Sequence, residues 1–225
     1  MIVPFPNLVD KGDEFLGVFA KEPLAGAVKT RLSPPLSGDQ AAELYRLALY
    51  ETVERMTQAG FRPTLFFSGR RDYFRHSFPG LRLLSQGGGD LGARLERALR
   101  RQLKAGFRKV VVIGTDSPDI PPGIIKKAFA FLDSEEVVVS PARDGGYVLI
   151  GESRHHPELF RNIPWGSDRV LAETRRRAGD KGLTLLELEG WEDIDDAASL
   201  ERFLQRSPAS SVSLYVRRHL NFSEG

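Results

Sequence analysis

No cysteine occurs among the 225 residues, which excludes disulfides, thiolate-bound zinc, iron–sulfur clusters and a thiolate nucleophile. Histidine is scarce, and His76, His155, His156 and His219 show no metal-ligand spacing. Neither G-x-S-x-G nor H-E-x-x-H is present, so serine-hydrolase and zinc-protease chemistry are not expected. Long apolar runs are missing too: stretches such as 110–113 and 137–139 fall far short of the ~18 residues that cross a bilayer. The amino terminus, with Pro4, Pro6 and Asp10, lacks the basic start and apolar core of a signal peptide. A cytoplasmic protein with no membrane partner is the expectation.

A surplus of one charge is also lacking. Lys+Arg number 32 and Asp+Glu 30, a formal net charge of +2, too small to indicate a nucleic-acid partner. What the chain does have is enough apolar residue to fold: 41% hydrophobic and 9% aromatic, which excludes a disordered chain. At about 150 residues per domain the length gives one domain with a full core. No internal repeat or linker divides it, so 1–225 reads as a single domain with 207–225 as a C-terminal appendage. That appendage carries Val212, Leu214, Tyr215 and Val216, which suit an extra packed helix, an oligomer contact or a frayed end. The oligomeric state stays open, a homodimer included.

Periodicity alternates short apolar runs with longer amphipathic ones. Strands are expected over 15–20, 63–67, 81–84, 109–114, 137–140, 147–150 and 183–188. Ser37 with Gln40 makes a capping-box pattern for a helix ending at Gly60. Asp90 caps a helix whose buried face is Leu91, Leu95, Ala98, Leu99 and Leu103. Pro121 and Pro122 suit the first turn of a helix reaching 132, with Asp119 as a cap. Further helices are expected over 167–177 and 196–205, and Asp144-Gly145-Gly146 reads as a hairpin-like turn. Alternating strands and helices imply an α/β fold, a mostly parallel mixed sheet with helices on both faces. The run at 110–113, all β-branched, belongs at its centre.

Ligands of such sheets bind beyond the carboxyl ends of the strands, and polar residues gather in those loops. After the first strand come Lys21, Gly26, Lys29 and Arg31, a set suited to an anionic ligand. It is not a Walker A loop, since Pro23 and Val28 stand where glycines must be. After the third strand, Gln86-Gly87-Gly88-Gly89-Asp90 precedes a helix, offering amide donors to an anion. The central strand ends at Gly114-Thr115-Asp116, where a carboxylate could hold a hard cation against phosphates. Late in the chain Asp193 and Asp195 point the same way if extended, so one of them could complete a metal site while Asp196 caps a helix. Arg143, Asp144 and Tyr147, with Gly145, Gly146, Trp165, Ser167 and Arg169, could shape an acceptor pocket.

In this order, Lys21-x-Pro23-x-x-Gly26-x-Val28-Lys29-Thr30-Arg31-Leu32, Gly89-Asp90-Leu91-Gly92-x-Arg94, Gly114-Thr115-Asp116-x-Pro118, Asp144-Gly145-Gly146-Tyr147 and Asp193-Ile194-Asp195 resemble the DUF2064 family. Its members are described as radical-SAM/selenodomain-associated transferases or arsenosugar-biosynthesis glycosyltransferases. The resemblance implies the GT-A-like fold of nucleotide-diphospho-sugar transferases. Lys29-Thr30-Arg31-Leu32-Ser33-Pro34-x-Leu36-Ser37 is more distantly similar to the start of 2-phospholactate guanylyltransferases. That similarity implies that Lys29 and Arg31 hold a triphosphate, that Asp116 and Asp195 hold Mg2+ (or Mn2+), and that the 86–90 loop, with Arg94 beyond it, faces the nucleobase. The chain departs from the family's usual residues at Gly166, Asp196 and Ala197. The expected activity is transfer of a nucleotidyl or glycosyl group from a nucleotide or sugar-nucleotide donor to a small acceptor, with Asp144 as an acceptor-side base in the glycosyl form. The alternative from another class is a non-catalytic nucleotide-binding sensor or scaffold.

Overall fold

The computed structural model describes residues 12–219. The amino-terminal segment with Pro4, Pro6 and Asp10, and the last six residues of the appendage, lie outside the described residues. The strands are β1 (Glu14–Lys21), β2 (Thr64–Ser68), β3 (Leu83–Ser85), β4 (Lys109–Ile113), β5 (Val137–Pro141), β6 (Tyr147–Glu152) and β7 (Leu185–Glu187). The helices are α1 (Gly38–Gln58), α2 (Arg71–Ser77), α3 (Leu91–Lys104), α4 (Pro122–Phe131), α5 (Val170–Asp180), α6 (Ala197–Arg206) and α7 (Ser211–His219). The strands form one seven-stranded sheet in the order β3-β2-β1-β4-β6-β5-β7. β4 is at its middle, and β6 alone among the described strands runs antiparallel to its neighbours.

Alternation along each strand divides the core between the two faces. Leu16, Val18 and Ala20 of β1 join Val111 and Ile113 of β4 on one side, packed with residues of α1, α2 and α4. Phe15 and Phe19 join Val110 and Val112 on the other, packed with residues of α3 and α5. A third cluster lies off the sheet. Leu32, Leu36, Ala41, Leu44 and Ala48 meet Ile194, Leu200, Phe203, Val212 and Val216 there. It ties the loop after β1 to the segment after β7 and seats α7 on the body.

Local signals account for most boundaries. Ser37 and Gln40 form both halves of the capping box, Asp90 accepts from the Ala93 amide at 2.8 Å, and Pro122 opens α4. Four expectations are corrected. Leu91 is 48% exposed rather than on the buried face of α3, because the first helical turn overhangs an open cavity. Asp119 caps nothing. It is buried and accepts from Trp191 Nε1, Arg206 Nε and Ser207 Oγ, fastening the carboxyl-terminal elements to β4. α5 begins at Val170 instead of 167, since Ser167 Oγ turns back to donate to the Pro164 carbonyl. α2, a helix of seven residues, was not expected, being too short for a periodic stripe.

Candidate active site

A cavity of about 650 Å³ opens at the carboxyl ends of β1 and β4, where the direction of the sheet changes at β6. Such a volume lies within the ~300–1,000 Å³ of small-molecule sites. Its floor is the sheet itself. The Tyr45 hydroxyl on α1 accepts from the Lys21 amide at 2.8 Å and shares a hydrogen bond with Thr115 at 2.8 Å. One buried phenol thereby joins the ends of β1 and β4, and burial drives its pKa well up.

One wall is acidic. The amide of Ile194 donates to the Asp116 carbonyl at 2.8 Å, laying residues 193–195 beside the end of β4. Ile194 is fully buried in the off-sheet cluster with Leu32. In an extended stretch its neighbours must face the opposite way, and Asp193 and Asp195 both line the cavity. Asp144, from the turn between β5 and β6, comes to meet them: one carboxylate oxygen from each of Asp144, Asp193 and Asp195 lies within 4.8 Å of the others. Asp193 receives the Ser117 hydroxyl. Burial, reinforced by the negative charge of Asp116, pushes its pKa up to about 7. Burial also raises Asp195, against the pull of Lys29. Clustered carboxylates resist ionising together, and a hard divalent cation with oxygen ligands would relieve that strain. The donor set therefore fits Mg2+ or Mn2+, and nothing in it is soft enough to select copper or a thiolate metal.

Cations stand around this wall. Lys29 reaches the Asp116 carboxylate and the Ile194 carbonyl, with Asp195 Oδ1 at 3.9 Å. Arg31 is 71% exposed at the mouth, 4.0 Å from Asp195. Lys21 lies at the end of β1 and also lines the cavity. Across the floor, Gln86 is buried with its amide nitrogen donating to the Ala20 and Phe66 carbonyls, at 3.1 and 2.8 Å. Its oxygen thereby faces Arg94, 3.3 Å from Nη1.

The far wall is aromatic. Tyr147 and Trp165 meet edge to face, ring centres 6.2 Å apart, and Trp165 Nε1 donates to the Phe160 carbonyl at 3.2 Å. Trp165 lies against bare backbone: a Cβ on Gly92 would come within 2.1 Å of its Nε1. The turn below is held in the same way. Gly145, with φ of 87°, leaves no room for a Cβ, which would approach the Asp168 carbonyl oxygen to 2.0 Å, and its own carbonyl accepts from Leu171 at 2.9 Å.

Most of the residues named from sequence line this cavity: Lys21, Lys29, Arg31, Gln86, Asp90, Arg94, Asp116, Asp144, Gly146, Tyr147, Trp165, Ser167 and Asp195. Five do not. Gly26 is a left-handed turn residue beside Gly38 at the start of α1. Arg97 holds the loop that contains Gly87 and Gly88 by taking the carbonyls of Gln86 and Gly88 at 2.6 and 3.1 Å. Gly145 is packed behind the turn, and Arg169 stands exposed before α5. Asp116, expected to share a metal with Asp195, is engaged by Lys29, and Asp193 stands in the carboxylate group instead. Sequence reasoning gave Tyr45 and Ser117 no place in the site. A phenol interrupting an apolar helical stripe is the signal that could have pointed to the first; an isolated serine gives none.

Residues 49–167, more than half of the chain, match the family model DUF2064, described as an uncharacterized protein conserved in bacteria. The chain belongs to the DUF2064 family. This member is also 26% identical over 179 residues to the 2-phospho-L-lactate guanylyltransferase of Halomicrobium mukohataei, covering 78% of this chain and 79% of that one. Among solved structures, a protein of Desulfovibrio desulfuricans G20 provisionally assigned as a nucleotide-diphospho-sugar transferase superimposes with a TM-score of 0.86. The two are 28% identical, over 92% of this chain and 94% of that one. The manganese complex of Rv0371C from Mycobacterium tuberculosis H37Rv shares the fold, with a TM-score of 0.51, 18% identity and coverage of 86% and 98%. Among the described residues no helix is long and apolar enough to cross a membrane.

Proposed function

We propose that this DUF2064 protein is a divalent-cation-dependent nucleotidyltransferase, moving a nucleotidyl group from a nucleoside triphosphate to a small acceptor. The observation that carries the reading is the cavity beyond β1 and β4, with three converging carboxylates on one wall and Lys21, Arg31 and Arg94 around the remaining space. Acids and bases so divided suit a polyphosphate that meets cations directly on one side and carboxylates through a metal on the other. The similarity to a guanylyltransferase over most of both chains supports nucleotidyl transfer.

Asp144, Asp193 and Asp195 would hold the cation, which when bound supplies charge neutralisation for the phosphates. Arg31 and Lys21 orient the β- and γ-phosphates. The acceptor lies against Tyr147, Trp165 and Ser167, in line with the α-phosphorus. An acceptor oxygen bonds to the α-phosphorus as the α–β bridging bond breaks, and pyrophosphate departs with its developing charge facing Arg31. Gln86, its amide orientation fixed by two sheet carbonyls, lies with Arg94 on the base side of the pocket.

The likeness to the Desulfovibrio protein favours a second reading, in which a sugar nucleotide is the donor and the nucleoside diphosphate leaves. Product analysis separates the two. Pyrophosphate released from a nucleoside triphosphate in the presence of Mg2+ and acceptor is the expected result. Release of nucleoside diphosphate from a sugar nucleotide, without pyrophosphate from any triphosphate, would replace it with the second reading.

A further inference from the structure

The two cations of the loop after β1 occupy very different surroundings. Arg31 is open to solvent, whereas the side chain of Lys29 is only 3% exposed. Its backbone is left-handed, φ 50°, a conformation that a lysine keeps only where its surroundings impose it. Val28 and Leu32 on either side are buried, at 4% and 0%. With both anchored, the ammonium is aimed into the acidic wall, at Asp116, the Ile194 carbonyl and Asp195.

Asp116, Asp193 and Asp195 line the same wall of the cavity, and carboxylates crowded together in this way repel one another when ionised. An ammonium placed among them offsets that repulsion, and the carboxylates in turn make its burial tolerable. A divalent cation would draw on the same negative charge, a few ångströms from the ammonium. Both cations cannot be held equally well.

We propose that Lys29 is a resident counter-cation of the carboxylate wall. It stabilises the wall while no divalent ion is there, competes with the ion for it, and turns toward the donor's phosphates once the ion is seated. The inference rests on the proposed cation site. It makes ion and donor binding mutually reinforcing, because the ion releases the ammonium that the donor uses.

Mn2+ titration followed by electron paramagnetic resonance tests this on the full-length chain without nucleotide. Lys29→Met should bind Mn2+ about tenfold more tightly than wild type, and Lys29→Arg within a fewfold of it. Lysine acetylation read by mass spectrometry gives a second readout on unaltered protein: Lys29 should react slowly without Mn2+ and severalfold faster with it. If Lys29→Met fails to fold, judged by circular dichroism, this second readout decides. Wild-type protein that binds Mn2+, with Lys29→Met no tighter or Lys29 acetylation unchanged, would overturn the counter-cation role and leave the cation site standing. Folded proteins that bind no Mn2+ in either form would overturn both.

Discussion

At the scale of single residues, Asp193 is the most constrained group in the site. It is held by Ser117, faced by Asp116, and pushed up to about 7 by burial and that charge. Between about pH 4 and pH 7 the folded chain keeps a proton that the unfolded chain has already lost, so this group's contribution to stability falls as pH rises through that window. Thermal melts in a chelator should show this directly. Asp193→Asn should flatten the pH dependence relative to wild type and gain stability at pH 8, while reducing cation binding by at least tenfold. Equal pH dependence in the two proteins would show that Asp193 ionises normally. The pairing of Asp193 with Asp195 was legible as an alternation about Ile194. What the sequence hid was the partner across the wall. Asp144 sits on a hairpin turn whose approach depends on β6 running antiparallel between β4 and β5, a long-range fact that no local pattern carries.

At the scale of elements, capping and turn chemistry did much of the specifying, and it was readable. The capping box of Ser37 and Gln40, the Asp90 cap and the glycines after α1 and α3 all have direct physical causes. Ser37→Ala should cost about 1 kcal/mol of stability and leave cation binding intact, as chemical denaturation and Mn2+ titration together would show. A larger fall in cation binding would mean that α1 positions the site more tightly than the cap implies. Gly92 was less legible: nothing in a helical pattern says that an aromatic ring will lie on one glycine. Gly92→Ala should displace Trp165, which a shift in tryptophan emission in a Trp191→Phe background would register, along with weaker acceptor binding. Unchanged emission would show that the ring accommodates the methyl group. Asp119 was misread because an acidic residue ahead of a proline-started helix looks like a cap. Its true partners, Trp191, Arg206 and Ser207, lie more than seventy positions away in sequence.

At the scale of the whole molecule, the fold class and the central place of β4 followed from the order and composition of the runs. The off-sheet cluster did not, because its members come from four separate stretches with no shared period. This cluster seats Leu32 and Ile194, hence Lys29 and the two late aspartates, and α7 closes it with Val212 and Val216. Removing residues 211–225 takes both valines away and should therefore cost about 1.5–3 kcal/mol for each buried valine lost and weaken cation binding as well. A melting temperature equal to that of the full chain would show that α7 is only an ornament on the body.

The central claim is that this cavity binds a nucleotide through a divalent cation. Thermal shift of the full chain against nucleoside triphosphates and sugar nucleotides, each with and without Mg2+, tests it most directly, since a ligand bound to the folded state raises its stability. The account predicts stabilisation by at least one nucleoside triphosphate, dependent on Mg2+ and lost in Asp193→Asn. Folded protein that none of these nucleotides stabilises, with or without Mg2+, would contradict it.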